Sequence, residues 1–162
     1  MPDIPPEVQI GLLLRAQKRT LVTAESCTGG LISHLLTNVP GSSVYYVGGV
    51  VAYAYEAKVA LLGVDWATLQ TYGAVSEEVA LQMARGARAA LNGDIALSVT
   101  GIAGPGGGMP NKPVGLTWIG ISTPDGDWAR RFVWEGDREG NKLASAQAAL
   151  QMVITYLQTN SR

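Results

Sequence analysis

The sequence predicts an α/β fold, a three-layer α/β/α sandwich built on one mixed sheet. Helical and strand-like segments alternate early in the chain, as they do when helices cross over between neighbouring strands. Two later strand-like segments are separated only by a Pro-Asp-Gly turn, which makes a hairpin and adds antiparallel strands. Hydrophobic residues make up 47% of the 162, enough for one sizeable core. No repeat, linker or low-complexity tail divides the chain, so a single domain over 1–162 is expected.

Each element has its own signal. Pro5 and Pro6 followed by EVQIGLLLRAQKR predict a first helix, since proline is tolerated in an opening turn. Thr20–Glu25 is short and β-branched and predicts a strand. LISHLLTNV has helical apolar spacing at Leu31, Leu35 and Leu36, and Asn38, Pro40 and Gly41 end it. Val44–Tyr53 is nearly all apolar and predicts a second strand, buried on both faces. Glu56–Gly63 reads as a short helix closed by glycine. Asp65 is the expected N-cap of DWATLQTYG. Ser76 is that of SEEVALQMARGARAALNG, where Glu77 and Glu78 suit the positive end of the dipole. Asp94–Gly101 predicts a third strand, and IAGPGGGMPNKP a loop. VGLTWIGIS and DWARRFVWE form the hairpin across Pro124–Gly126. A last helix starts near Arg138, with Leu143, Ala146, Leu150, Val153, Ile154 and Leu157 as its buried stripe.

Composition narrows the function. The net charge of -1 argues against a nucleic-acid footprint, which shows as a basic stripe. Cys27 is the one cysteine, so no intrachain disulfide forms, as fits a reducing compartment. With one histidine, His34, and one cysteine, a zinc site lacks ligands. The N-terminus carries no signal-peptide pattern, and no apolar run approaches the ~18 residues of a membrane span. The expectation is a cytoplasmic protein with no metal, no cofactor, no nucleic-acid partner and no membrane contact.

The segment Ala24-Glu25-Ser26-Cys27-Thr28-Gly29-Gly30 places a serine where a strand stops and a helix starts. Such a corner exposes Ser26 at the carboxyl edge of the sheet and aims free backbone N–H groups at whatever it attacks. The same residues suit a plainer role, with Ser26 or Thr28 capping the helix. Gly29 and Gly30 favour close approach of a ligand, because glycine otherwise weakens a helix. Cys27 is a rival nucleophile, but a cysteine mechanism wants a histidine partner. His34 falls about two turns into the helix and reads as a partly buried helix residue. A lysine with a lowered pKa is an alternative base. Of the four lysines, Lys58 stands in apolar company five residues after Tyr53, whose hydroxyl can relay a proton or hold the amine. A surface lysine snorkelling to water fits the same spacing. The second glycine cluster, from Thr100 and Gly101 through Gly104, Gly106 and Gly107 to Lys112, follows a strand and can form an anion-binding nest or a mobile surface loop. It is neither a Walker loop nor a dinucleotide fingerprint. Arg138 and Lys142, at the start of the last helix, either hold a phosphate beside it or stand solvated.

Five motifs in order, AESCTGG, GSSVYYVGGVVAYAYEAKVALLGV, GAVSEEVA, TGIAGPGGGMPNKPVG and GDR, closely resemble the CinA C-terminal domain family. The resemblance runs from about Thr20 to the last helix. It implies the α/β/α sandwich, a homodimer, and hydrolysis of the pyridine nucleotide nicotinamide mononucleotide to nicotinic acid mononucleotide and ammonia. It implies catalysis by Ser26 as nucleophile with Lys58 and Tyr53, without metal. Substrate contacts are expected from Cys27, Thr28, Gly29 and Gly30 and from the glycine cluster with Lys112, Arg138 and Lys142. Two departures stand out. Ala54 and Tyr55 replace a small polar residue and an asparagine, making Tyr55 a competitor for the relay, and Lys142 replaces an arginine, losing bidentate phosphate geometry. The competing readings are a non-catalytic nucleotide-binding regulator and an amidase for another carboxamide.

Overall fold

Two strands, β1 (Leu21–Glu25) and β3 (Ile95–Gly101), are buried almost throughout, because helices cover both of their faces. The computed structural model describes residues 3–161. Its other strands are β2 (Tyr46–Val51), β4 (Leu116–Thr123) and β5 (Gly126–Val133), in the sheet order β2-β1-β3-β4-β5. β1 pairs in parallel with β2 and β3, and β4 and β5 continue the sheet antiparallel. The result is a single domain with a five-stranded mixed sheet flanked by helices, as the sequence predicts.

Side chains alternate across the sheet and so feed two cores. Leu21, Leu97 and Val99 pack with α1 (Pro6–Gln17), α2 (Leu31–Thr37) and α6 (Arg138–Thr159). Val22, Ala24 and Ala96 pack with α3 (Tyr55–Leu62), α4 (Trp66–Tyr72) and α5 (Glu77–Leu91). At Gly86 α5 touches α3 backbone to backbone: a Cβ there would lie 1.8 Å from the Leu62 carbonyl oxygen. Among the described residues no helix is long and apolar enough to cross a membrane.

Four local expectations are corrected. β2 is an edge strand with no neighbour beyond it, so it alternates half-buried with exposed, and Val47 and Val51 are each 49% exposed instead of buried on both faces. Leu143 is 42% exposed; in that turn of α6 the buried positions belong to Asn141 and Ser145, which bind the Ala103 carbonyl and the Trp134 indole. Asp65 occupies the N-cap position of α4, but its side chain makes no capping bond. Instead, its amide donates to the Gln82 side chain. His34 is exposed, and its ring meets the Asn38 side chain. Ser76 does cap α5, accepting from the Val79 amide at 3.3 Å.

Because β1, β2 and β3 run parallel, their carboxyl ends share one edge. The chain leaves β1 for β2 on one side and returns to β3 on the other. Such a switch point opens a crevice beyond the strand ends. Ser26–Gly30, Ala52–Lys58 and the loop after Gly101 all enter it.

Candidate active site

Ser26 follows the last residue of β1 and continues its ladder, donating its amide to the Val99 carbonyl at 3.0 Å. Its side chain is therefore fixed at the sheet edge. Lys58 lies in the first turn of α3. Helical side chains tilt toward the helix N-terminus, so the lysine reaches back over the start of its own helix. There its Nζ lies 2.9 Å from the Ala52 carbonyl, 2.9 Å from the Tyr53 carbonyl and 2.8 Å from Ser26 Oγ. The side chain is 1% exposed. Carbonyls only accept, so in the neutral amine they take its N–H groups and leave the lone pair for the serine hydroxyl. Burial pulls the Lys58 pKa from 10.5 down to about 8, offset in part by the charge of the neighbouring Cys27 sulfur. A base poised near neutrality beside a hydroxyl is the arrangement nucleophilic catalysis needs.

Cys27 is buried, and burial pushes its thiol up to about 11, outweighing its own backbone N–H and the Lys58 charge. The thiol stays protonated at neutral pH, so Ser26 is the better nucleophile.

Sequence reasoning missed Glu25. Its carboxylate is fully buried and accepts from the Ile32 amide at 2.8 Å, the Ser33 amide at 3.1 Å and the Ser33 hydroxyl at 2.8 Å. Ser33 in turn meets the Tyr46 hydroxyl, which meets Thr23 Oγ1. An acceptor-only carboxylate orders this chain: Ser33 donates to Glu25, Tyr46 to Ser33, and Thr23 to Tyr46. The first-turn amides of α2 are thus occupied, unlike the sequence expectation. The amides of the preceding turn that have no acceptor among the described residues include Thr28 and Gly30. The Thr28 hydroxyl is also buried without a partner among the described residues. The signal for Glu25 was present: a carboxylate closing an otherwise apolar strand must find donors, and a helix start supplies them. Glu25→Ala orphans the buried Ile32 amide and the half-buried Ser33 amide and is expected to cost about 2–3 kcal/mol in urea unfolding, whereas Glu25→Gln, which can still accept, loses less.

The edge carries a cleft of about 270 Å³, the lower end of small-ligand sites. Its lining includes Ser26, Cys27, Tyr53 and Lys58 from the ends of β1 and β2, Thr100, Gly101, Gly104, Gly106 and Gly107 from the end of β3 and the loop after it, and Arg138 from α6. Thr28, Gly29, Gly30, Lys112 and Lys142 lie outside this lining. Lys112 turns its ammonium to the Tyr72 carbonyl. Lys142 stands near Gly29, with Nζ 3.8 Å from where a Cβ would be. The Tyr53 ring is 63% exposed; its hydroxyl accepts from Arg138 at 3.3 Å, and only its carbonyl meets Lys58. The Tyr55 hydroxyl accepts from the Ala74 amide, and its ring packs against Trp66. Both phenols are thus engaged away from the amine.

The glycine loop is tied down. Arg138 donates to the Gly104 carbonyl at 2.8 Å, and buried Asn141 donates to the Ala103 carbonyl at 3.0 Å. Gly104 has φ +86°, and a Cβ there would meet Val114 at 2.4 Å, so only glycine fits.

The profile of the CinA C-terminal domain family matches residues 4–157. The chain is 52% identical to a CinA-like protein of Salinibacter ruber over 149 residues, covering 92% of this chain and 36% of that protein. It is also 52% identical to a CinA-like protein of Chlorobaculum tepidum over 156 residues, covering 93% and 37%. The chain thus spans little more than a third of the length of these relatives. Solved structures match it end to end. The competence/damage inducible protein of Agrobacterium tumefaciens is 39% identical with TM-score 0.89, over 98% of both chains. A CinA superfamily protein of Klebsiella pneumoniae is 30% identical with TM-score 0.92, over 96% of this chain and 97% of that one. With the family model covering residues 4–157 and solved structures matching over nearly their whole length, the chain belongs to the CinA C-terminal domain family.

Proposed function

We propose that this chain hydrolyses the carboxamide of nicotinamide mononucleotide, giving nicotinic acid mononucleotide and ammonia. The observation that carries the reading is the buried 2.8 Å contact between Lys58 Nζ and Ser26 Oγ, with two carbonyls directing the amine. Lys58 takes the hydroxyl proton while Ser26 Oγ bonds to the carboxamide carbon. Of the Cys27–Gly30 turn, Cys27 lines the cleft, and its amide is the donor assigned to the developing oxyanion. The C–N bond breaks, and ammonia leaves with the proton Lys58 took. Water then adds to the ester with Lys58 again as base, and the acid departs as Ser26 regains its proton. The glycine loop and Arg138 hold the phosphate end. Tyr53 serves through its carbonyl and through its bond to Arg138. The protein works as a cytoplasmic homodimer without a cofactor.

The test is ammonia release from the nucleotide, beside the nucleoside and free nicotinamide. Release from the nucleotide alone supports the reading; release from none, or only from another carboxamide, refutes it. The pH profile follows from the base. A lysine titrating near 8 must be neutral to act, so kcat/KM rises with pH, passes half its maximum near pH 8 and levels off above it. Stability follows the same group. Between pH 8 and 10.5 the unfolded chain binds more protons than the folded one, so stability rises with pH across that window.

A further inference from the structure

Lys58 is a buried cation without a counter-ion. Its three partners are a hydroxyl and two carbonyls. The one ion pair among the described residues joins Arg85 and Asp127, elsewhere on the molecule. Glu25 is the nearest buried carboxylate in sequence, but it is spent on α2 and Ser33. The cleft lining holds Lys58 and Arg138 and no carboxylate. A buried charge without a partner is costly, and the cost falls when a ligand brings the opposite charge.

Resting on the proposed reaction, we propose that the cleft holds the acid product more tightly than the amide substrate, because the product carboxylate supplies the counter-ion that Lys58 lacks. The two ligands share ring, ribose and phosphate. They differ only where one carries a neutral carboxamide and the other an anion, beside Ser26. Chemistry requires the neutral amine, whereas the product favours the ammonium. Acid binding therefore draws a proton from solvent onto Lys58, and the enzyme is restrained by its own product at low pH and released as pH rises.

Other groups face Lys58 as well. The corner after β1 brings the Ser26 hydroxyl and the Cys27 thiol, and the end of β2 brings the two carbonyls, while the Tyr53 phenol turns to Arg138. The end of β3 brings the Thr100 hydroxyl, and the start of α6 the Arg138 guanidinium, with Lys142 and Glu25 acting on the neighbouring thiol. The thiol is pushed up to about 11 and Lys58 down to about 8, so Lys58 is the group whose charge changes as neutral pH gives way to alkaline.

Calorimetry on the wild-type protein tests this with nicotinic acid mononucleotide, in two buffers of different ionisation enthalpy near pH 9, where the ligand's own carboxylate and phosphate no longer titrate. Uptake of close to half a proton per site is expected, and no uptake, or release, overturns the proposal. With both nucleotides on Ser26→Ala, which stops turnover, the acid is expected to bind about tenfold tighter than the amide at neutral pH. That advantage fades as pH rises past the Lys58 titration. Equal affinities, or a pH-independent ratio, overturn it. Ammonia release by the wild type is scored separately. Turnover without acid preference sinks this proposal alone, and absence of turnover sinks the reaction.

Discussion

Lys58→Met is expected to lower kcat/KM for the amide by about 10³-fold or more, while the protein stays folded. Methionine keeps most of the stem and fills the same buried space, but it has no lone pair for Ser26. The structural cost is small. The Ala52 and Tyr53 carbonyls lose a donor, and the fold loses a buried ammonium, and these oppose each other. The unfolding free energy is expected to change by about 1 kcal/mol or less. Ser26→Ala is expected to match the loss, and the double variant to lose little more than either, because nucleophile and base act as one unit. Steady-state ammonia assays beside urea melts check this; strictly additive losses would mean the two act separately.

The second large effect is remote from the chemistry. Gly86→Ala places a methyl 1.8 Å from the Leu62 carbonyl oxygen and 2.6 Å from its carbon, both rigid backbone. Neither helix has a side chain that can yield. Overpacking of this kind costs about 1–3 kcal/mol, and backbone opposite backbone sits at the upper end. The only relief is to push α3 off α5. Leu62 is four residues past Lys58 on the same short helix, so the amine moves with it. Activity is therefore expected to fall further than stability explains, about 10²-fold for a shift near 1 Å, in the fraction still folded. Urea unfolding and ammonia assays on the same preparation separate the two losses.

What the sequence disclosed depended on whether side-chain type carried the signal. Alternating segments, the Pro-Asp-Gly hairpin and the Ser76 cap were legible because periodicity and turn chemistry are local. The edge position of β2 was not. An apolar run looks the same in the middle of a sheet and at its margin, and only the strand order exposes Val47 and Val51. Ser26 and Lys58 could be picked as chemical types, but their 2.8 Å contact depends on α3 folding back over the end of β2. The clamp on Lys58 was invisible for a different reason. It is made by the carbonyls of Ala52 and Tyr53, which every residue carries. A tyrosine at that position invites attention to its phenol, yet the phenol meets Arg138. Asn141 was unread because an amide at a helix start looks solvated until the loop it binds is in place.

The central claim is that burial brings the titration of the Lys58 amine down from 10.5 to about 8, where a neutral fraction is available to act as base. The chain has four lysines, Lys18, Lys58, Lys112 and Lys142, so a protein labelled with ¹³C at lysine Cε gives few resonances to resolve. The resonance missing in Lys58→Met identifies the site, and its chemical shift is then followed against pH. A midpoint near 8 is the expected result. A midpoint at or above the ordinary lysine value of 10.5 would leave Ser26 without its base and contradict the account.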